Sequence, residues 1–196
     1  MGAVRKLPPT ALPRPSARAR ILSAAADLAR DVGPANLSLD AVAARAGVSK
    51  GGLLYHFPAK LDLLEALVGD HLETFDRDLE TQQALLGAGP AAALHAYLDV
   101  SLADCRKQTP PPAGVLAAIV QHPEMLKPIK HFKRQILDRL KADTGHDATT
   151  LVAFLVMEGL RSMKLFDADV LSDEETATAM EALRAMIGRI EEAGGV

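Results

Sequence analysis

Apolar residues recur along this chain at intervals of three and four, and glycine and proline cut the runs at intervals. Ile21, Leu22, Ala25, Leu28, Ala29 and Val32 form one stripe, the spacing that puts side chains on one face of an α-helix. Ser16 offers a hydroxyl to cap that helix, and Gly33-Pro34 stops it. Ser38 caps a short second helix, LDAVAARA, with Leu39, Val42 and Ala43 facing inward and Gly47 ending it. Ser49 caps a third, KGGLLYHF, which Pro58 closes. From Lys60 a long helix carries Leu61, Leu64, Leu67, Val68, Leu72, Phe75 and Leu79 at helical spacing, up to a break at Gly87-Ala-Gly-Pro90. Next come a helix over AAALHAYLDVSLADCRK, a rigid Thr109-Pro-Pro-Pro112 connector, a short helix over 114–121, and a helix over about 123–142.

Two more helices close the chain. Residues 148–166 are apolar on most faces, with Leu151, Val152, Phe154, Leu155, Val156, Met157 and Leu160, which predicts burial on several sides. Residues 173–193 carry Met180, Leu183, Met186, Ile187 and Ile190 on one stripe, behind a capping box of Ser172 and Glu175. This surface could be buried inside the body or against a second copy of the chain, and composition alone does not decide. There is no internal repeat and no strand pattern, so the fold reads as all-α. It divides into a basic, Pro-rich, disordered arm (1–15), a three-helix head (16–59) and a larger helical body (60–196).

Composition agrees with helices: 48% of residues are hydrophobic but only 4% aromatic, and strands favour aromatic and β-branched residues. The lone Cys105 excludes an internal disulfide framework and fits a reducing compartment. The basic N-terminus runs into proline rather than an apolar signal core, and LVAFLVM at 151–157 is too short to span a bilayer. A soluble, cytoplasmic protein with no membrane partner is the expectation. Charge is divided unevenly. Residues 1–60 hold nine Lys and Arg against three acids, and the remainder thirteen against twenty-two, a basic head on an acidic body that suits a polyanionic partner.

The densest chemistry lies in GVSKGGLLYHFPAK at 47–60. Helix, tight glycine turn and helix within about twenty residues match the helix-turn-helix arrangement, whose second helix enters the DNA major groove. Lys50 offers a charge to a phosphate, and the amides at Ser49–Gly51 add a favourable dipole. Without side chains at Gly51 and Gly52 the backbone can come close to a DNA strand; packing against another helix is the alternative use for two such glycines. Tyr55 and His56 can donate to phosphates, Lys60 is within reach of the DNA backbone, and Phe57 reads as the plug of the head's core.

The segment ILSAAADLARDVGPANLSLDAVAARAGVSKGGLLYHFPAKLDLLEALV resembles the DNA-binding head of the tetracycline-repressor (TetR) family of bacterial transcription regulators, specifically over about residues 17–68. The rest is similar only in helix number and order. The resemblance implies a homodimer on a palindromic double-stranded operator, most readily a repressor, each head placing 50–56 in a major groove. It implies phosphate-contacting caps at Ser38 and Ser49, DNA contacts at Lys50, Gly51, Tyr55, His56 and Lys60, and further phosphate contacts at Arg18 and Arg20. Gly52 belongs to the same surface, but Gly52 and Leu54 depart from what many relatives carry, so fewer side chains remain to read bases. It also implies an interior pocket for a small, largely hydrophobic effector, with candidates Phe75, Leu98, Leu102, Leu116, Ile119, Val120, Met125, Phe132 and Glu158. A four-helix dimer interface would draw on Leu151, Phe154, Leu155, Met180, Leu183, Ile187 and Ile190.

Glu158 stands in the middle of an apolar helix, where a lone carboxylate needs a partner. Arg161 on the same face offers one; a cationic or polar group on an effector is the other reading. The histidines show no metal-ligand spacing, and no nucleotide loop, nucleophile elbow or paired-carboxylate signature occurs. No metal, cofactor or enzymatic activity is expected. The rival is a small all-α enzyme or metal- or ligand-binding protein built on Glu158 and interior histidines.

Overall fold

A computed structural model describes residues 15–32, 37–87, 89, 91–106 and 123–194. The expected arm up to residue 14 and the short helix over 114–121, with Leu116, Ile119 and Val120, lie outside them, as do the side chains of Met125 and Ile190. Every regular element among the described residues is helical: α1 (Ala17–Val32), α2 (Leu39–Ala46), α3 (Lys50–His56), α4 (Lys60–Leu86), α5 (Ala92–Arg106), α6 (Leu126–Thr144, led by a 3-10 turn), α7 (Asp147–Leu165) and α8 (Asp173–Gly194).

The capping residues read from the sequence set these boundaries. The Ser38 and Ser49 hydroxyls accept from the amides of Ala41 and Gly52 at 3.1 and 3.0 Å, and Ser16 accepts from Ala19 at 3.1 Å. Gly47 takes the left-handed conformation (φ 63°) and returns its amide to the last turn of α2. Asp62 starts α4 by accepting from the Ala59 amide at 2.7 Å. At the start of α5 help comes from far along the chain: Asp143 of α6 accepts from the Ala93 amide at 3.0 Å. Such long-range capping of an orphan helix amide has no local sequence signal.

Two cores result. In the head, Ile21, Leu22, Val42, Leu53 and Phe57 close on one another together with Leu63, Leu64 and Leu67 of α4. The head's packing thus runs past the boundary expected at residue 59. In the body, Phe75 and Leu79 of α4 join Leu94, Tyr97 and Leu98 of α5, Ile136 and Leu140 of α6, Met157 of α7 and Ile187 of α8. Polar links reinforce the body: Arg139–Asp76 (α6 to α4) at 2.6 Å, and Asp99 on α5 holding both Gln82 of α4 at 3.0 Å and Arg184 of α8 at 2.5 Å.

One expectation is corrected here. Met180, Leu183 and Ile187 face the protomer's own core and are at most 5% exposed, so they cannot double as an interface between chains. A helical stripe signals burial without saying against what. The apolar surface left open lies on α7, where Leu151, Val152 and Leu155 are exposed, Leu155 at 65%, and Phe154 is half-buried against the body core.

Nothing stands within 4 Å of a Cβ built at Gly47, yet its φ is one that side chains rarely adopt. Gly47→Ala is therefore expected to destabilise the protein by about 1 kcal/mol through the backbone alone. Gly47→Asn should lose less, because asparagine tolerates the left-handed region. Midpoints of urea denaturation followed by circular dichroism check both.

Candidate nucleic-acid interface

Helix α3 has one side fastened and one side free. Leu53 is fully buried, Phe57 just beyond the helix is 2% exposed, and Leu54 packs partly against the same core. The opposite side shows Lys50, Gly51 and Tyr55, the tyrosine 84% exposed, with the His56 ring 5.1 Å from it in an edge-on arrangement. No atom lies within 4 Å of a Cβ at Gly51, and at Gly52 the nearest is the Ser49 Oγ at 3.2 Å. Packing of the glycines against another helix is thereby excluded.

Around this face stand the other candidate residues. Ser38, Ser49, Arg18 and Arg20 are exposed, and Lys60 is half-buried at the start of α4. Two of the cations are not idle. Lys50 pairs with Asp40 of α2 at 3.0 Å, both side chains more than half exposed, a contact worth at most about 1 kcal/mol and readily exchanged for a phosphate. The Arg18 guanidinium lies 5.4 Å from the Phe57 ring centre, so it covers the head's core as well as facing solvent. An ion pair that sequence reading missed, Arg45 with Asp31 at 2.6 Å, joins α2 to α1.

The interior candidates separate into two kinds. Leu98 is plain core, fully buried, while Leu102 packs partly against that core. Phe75 and Phe132 belong to an aromatic cluster with Tyr97 and Phe154: Phe75 meets Tyr97 and Phe132 edge-on at 6.4 and 6.2 Å, and Phe154 stacks on Tyr97 at 5.8 Å. Against this cluster sits Glu158, its side chain 17% exposed. Arg161 reaches it at 3.1 Å, as the spacing implied, and Lys133 of α6 closes on its other oxygen. Lys133 was missed because the pair spans 25 residues. Asp104 of α5 completes the group, 4.0 Å from Arg161 and 3.9 Å from His71 of α4. Burial pushes the Tyr97 phenol well above its ordinary pKa; Glu158 adds to that, while Arg161 and the Ser101 hydroxyl pull the other way. Burial also raises the Cys105 thiol, with Arg161 opposing.

The histidines do not form an interior set. His71, His131 and His146 are exposed, His95 is half-buried, and His122 lies outside the described residues. The rival centre of Glu158 and interior histidines is thus corrected by placement: the helices that carry these rings turn most of them to solvent. No group of three metal-ligating side chains occurs among the described residues, and none of their helices is long and apolar enough to cross a membrane.

Two family models match the chain: bacterial regulatory proteins of the tetR family over residues 21–67, and the tetracyclin repressor-like C-terminal domain over residues 91–188. No curated protein matches. Solved structures do. A TetR-family transcriptional regulator from Streptomyces coelicolor is 26% identical, with a TM-score of 0.60 over 88% of this chain and 96% of that one. The multidrug binding protein EbrR, solved with malachite green, is 25% identical, with a TM-score of 0.65 over 90% and 99%. NalD of Pseudomonas aeruginosa, the secondary repressor of the MexAB-OprM multidrug efflux pump, is 20% identical, with a TM-score of 0.52 over 88% and 94%, a likeness of fold.

The two glycines of α3 differ in what a methyl group would meet, and their stabilities should differ accordingly. Gly51→Ala enters open space and is expected to stabilise the protein by roughly 0.5–1 kcal/mol through helix propensity. Gly52→Ala should gain less, since the capping Ser49 hydroxyl must give way. Thermal unfolding of the two variants beside the parent chain checks the order.

Proposed function

The chain belongs to the tetR family of bacterial regulatory proteins, and from that premise we propose a ligand-responsive transcriptional regulator, a repressor, that binds a palindromic operator as a homodimer. The observation that carries this reading is the outer face of α3, where Gly51 and Tyr55 stand clear of the head's core and Lys50 makes only an exposed ion pair with Asp40, while Leu53 anchors the other side. The head (residues 16–59 with the first turns of α4) lays α3 in the major groove. Gly51 lets the backbone approach, Gly52 leaves the Ser49 cap undisturbed, and Tyr55 and His56 reach phosphates or base edges. Ser38, Ser49, Arg18, Arg20 and Lys60 hold the DNA backbone on either side.

The dimer forms through the open face of α7, with Leu151, Val152 and Leu155 at its centre. Among the described residues that is the largest cluster of exposed apolar side chains on one helix of the body, and a face of this kind marks an interface. Two heads on one duplex must sit about 34 Å apart, one helical turn, or a multiple of it. A small effector in the body, bordered by Phe75, Phe132 and Glu158, shifts α4 and with it the spacing of the heads; its differential affinity for the two spacings sets how far occupancy falls. EbrR, a multidrug binding protein of the same fold, was solved with malachite green, which supports a ligand in the body here too. Glu158, on which an enzymatic reading would rest, is committed to Lys133 and Arg161.

Fluorescence anisotropy with duplex DNA enriched by the protein from random sequence tests the head. Lys50→Ala with Tyr55→Ala should weaken binding at least tenfold and lower the slope of log affinity against log salt by about 1 for the lost phosphate contact; unchanged affinity and slope would refute it. Gly51→Ala should weaken DNA binding while leaving the fold intact. Sedimentation equilibrium tests the interface: the parent chain is expected to be a dimer, and Leu151→Glu with Leu155→Glu a folded monomer. A parent that sediments as a monomer removes that face from the proposal.

A further inference from the structure

Between residues 16 and 60 six Lys and Arg stand against three acids, and two of those acids are turned back on the head's own cations. Asp31 takes Arg45 at 2.6 Å and joins α1 to α2. Asp40 takes Lys50, the first residue of α3, with both carboxylate oxygens: the ammonium lies 3.0 Å from one and 3.1 Å from the other. The two pairs differ in what they withhold. Lys50 shares the outer face of α3 with Gly51 and Tyr55, so the cation held by Asp40 is one that a phosphate would meet.

Neither side chain has a duty in the core. Lys50 and Asp40 are 61% and 68% exposed, and α3 is fastened by Leu53, Phe57 and the Ser49 cap instead. Asp40 stands in the first turn of α2, the positive end of that helix, where a negative charge is favoured. Its carboxylate thus does what a DNA phosphate would do, placing two oxygens on the Lys50 ammonium. An incoming phosphate must take Lys50 from Asp40, and the freed carboxylate then faces the DNA. That exchange calls for a phosphate held close to the ammonium. A loosely associated duplex, out of register with α3, supplies none, so there Lys50 and Asp40 stay paired and add no net charge.

We propose that Asp40 is a specificity-determining residue, an internal competitor that withholds Lys50 from DNA of arbitrary sequence and yields it only to a duplex seated in register on α3. Non-specific association is almost wholly a matter of cations on phosphates, so withholding one weakens it in full. The seated complex recovers that contact and keeps those of Gly51, Tyr55 and His56. The inference rests on the reading of α3 as the DNA-binding helix.

Fluorescence anisotropy of the full chain on two labelled duplexes of equal length, the enriched sequence and a random one, tests it. Asp40→Asn keeps the shape and removes the competing charge. It should tighten binding to the random duplex on the order of fivefold and steepen the slope of log affinity against log salt there by about 0.9, for one further phosphate neutralised. On the enriched duplex the gain should be smaller, about twofold, so that the ratio of the two affinities falls. In a Lys50→Ala background most of the gain on the random duplex should vanish, because no cation remains to be freed. Asp40→Ala serves in the same scheme if Asp40→Asn fails to fold by circular dichroism. Four results overturn the role of Asp40: unchanged affinity and slope, weaker binding, an equal gain on both duplexes, or a gain that persists in full without Lys50. The second would make Asp40 an orienting partner of Lys50, and the last would reduce it to plain repulsion of DNA. Any of them, with the parent chain still preferring the enriched duplex, leaves the regulator reading standing. A parent chain that binds no duplex, or both equally, refutes that reading and the role of Asp40 with it.

Discussion

The helix α4 is shared by two hydrophobic cores, and the relation between head and body follows from that sharing. Leu63, Leu64 and Leu67 are buried with α1, α2 and α3, while Phe75 and Leu79 of the same helix are buried with α5, α6 and α7. Leu67 and Phe75 are eight residues apart, about 12 Å of helix axis. No linker intervenes, so the head cannot turn against the body unless α4 bends or one set of side chains leaves its core. Packed cores resist small continuous deformation and switch between discrete arrangements instead. A change in the body that moves Phe75 must therefore be taken up by α4 as a rigid element, and α3 moves with it.

The body is fastened to the far part of α4 by polar contacts as well as by packing. Asp76 takes Arg139 from α6, and Gln82 shares Asp99 with Arg184 from α8. These pairs are partly exposed, and each adds little to stability, but their geometry fixes register. The interior group around Glu158 joins α6, α7 and α5, and reaches α4 through His71 and through the Phe75 ring. Removing one member of such a group leaves a partly buried charge without its counterpart, at a cost that solvent only partly relieves. The same residues that would feel a ligand thus also hold the helices against one another.

Much of the head was legible because its signals are local. Serine caps, a glycine in a left-handed turn and a proline stop act within four residues of where they stand, and Ser38, Gly47 and Ser49 do what their positions implied. The body was legible as helices but not as contacts. Met180, Leu183 and Ile187 read as a stripe to be buried, and periodicity cannot tell a protomer's own core from a partner's. Lys133 and Asp143 act on residues 25 and 50 positions away, beyond any spacing rule. Tyr97 drew no notice because an aromatic at a helical position reads as core. Only the placement of its hydroxyl, buried beside Ser101 and Arg161, sets it apart.

The seven residues of α3, two of them adjacent glycines, could not hold a helix alone, since segments shorter than about 12–15 residues are marginal in water even with good helix formers. Its order comes from its ends and one side: the Gly47 turn and the Ser49 cap before it, Phe57 in the core after it, and Leu53 beneath. None of these lies on the outer face. Lys50, Gly51 and Tyr55 are consequently relieved of holding the helix together, and residues there can be chosen for what they approach rather than for what they support. Costly glycines are tolerable in this helix because its stability was never drawn from helix propensity.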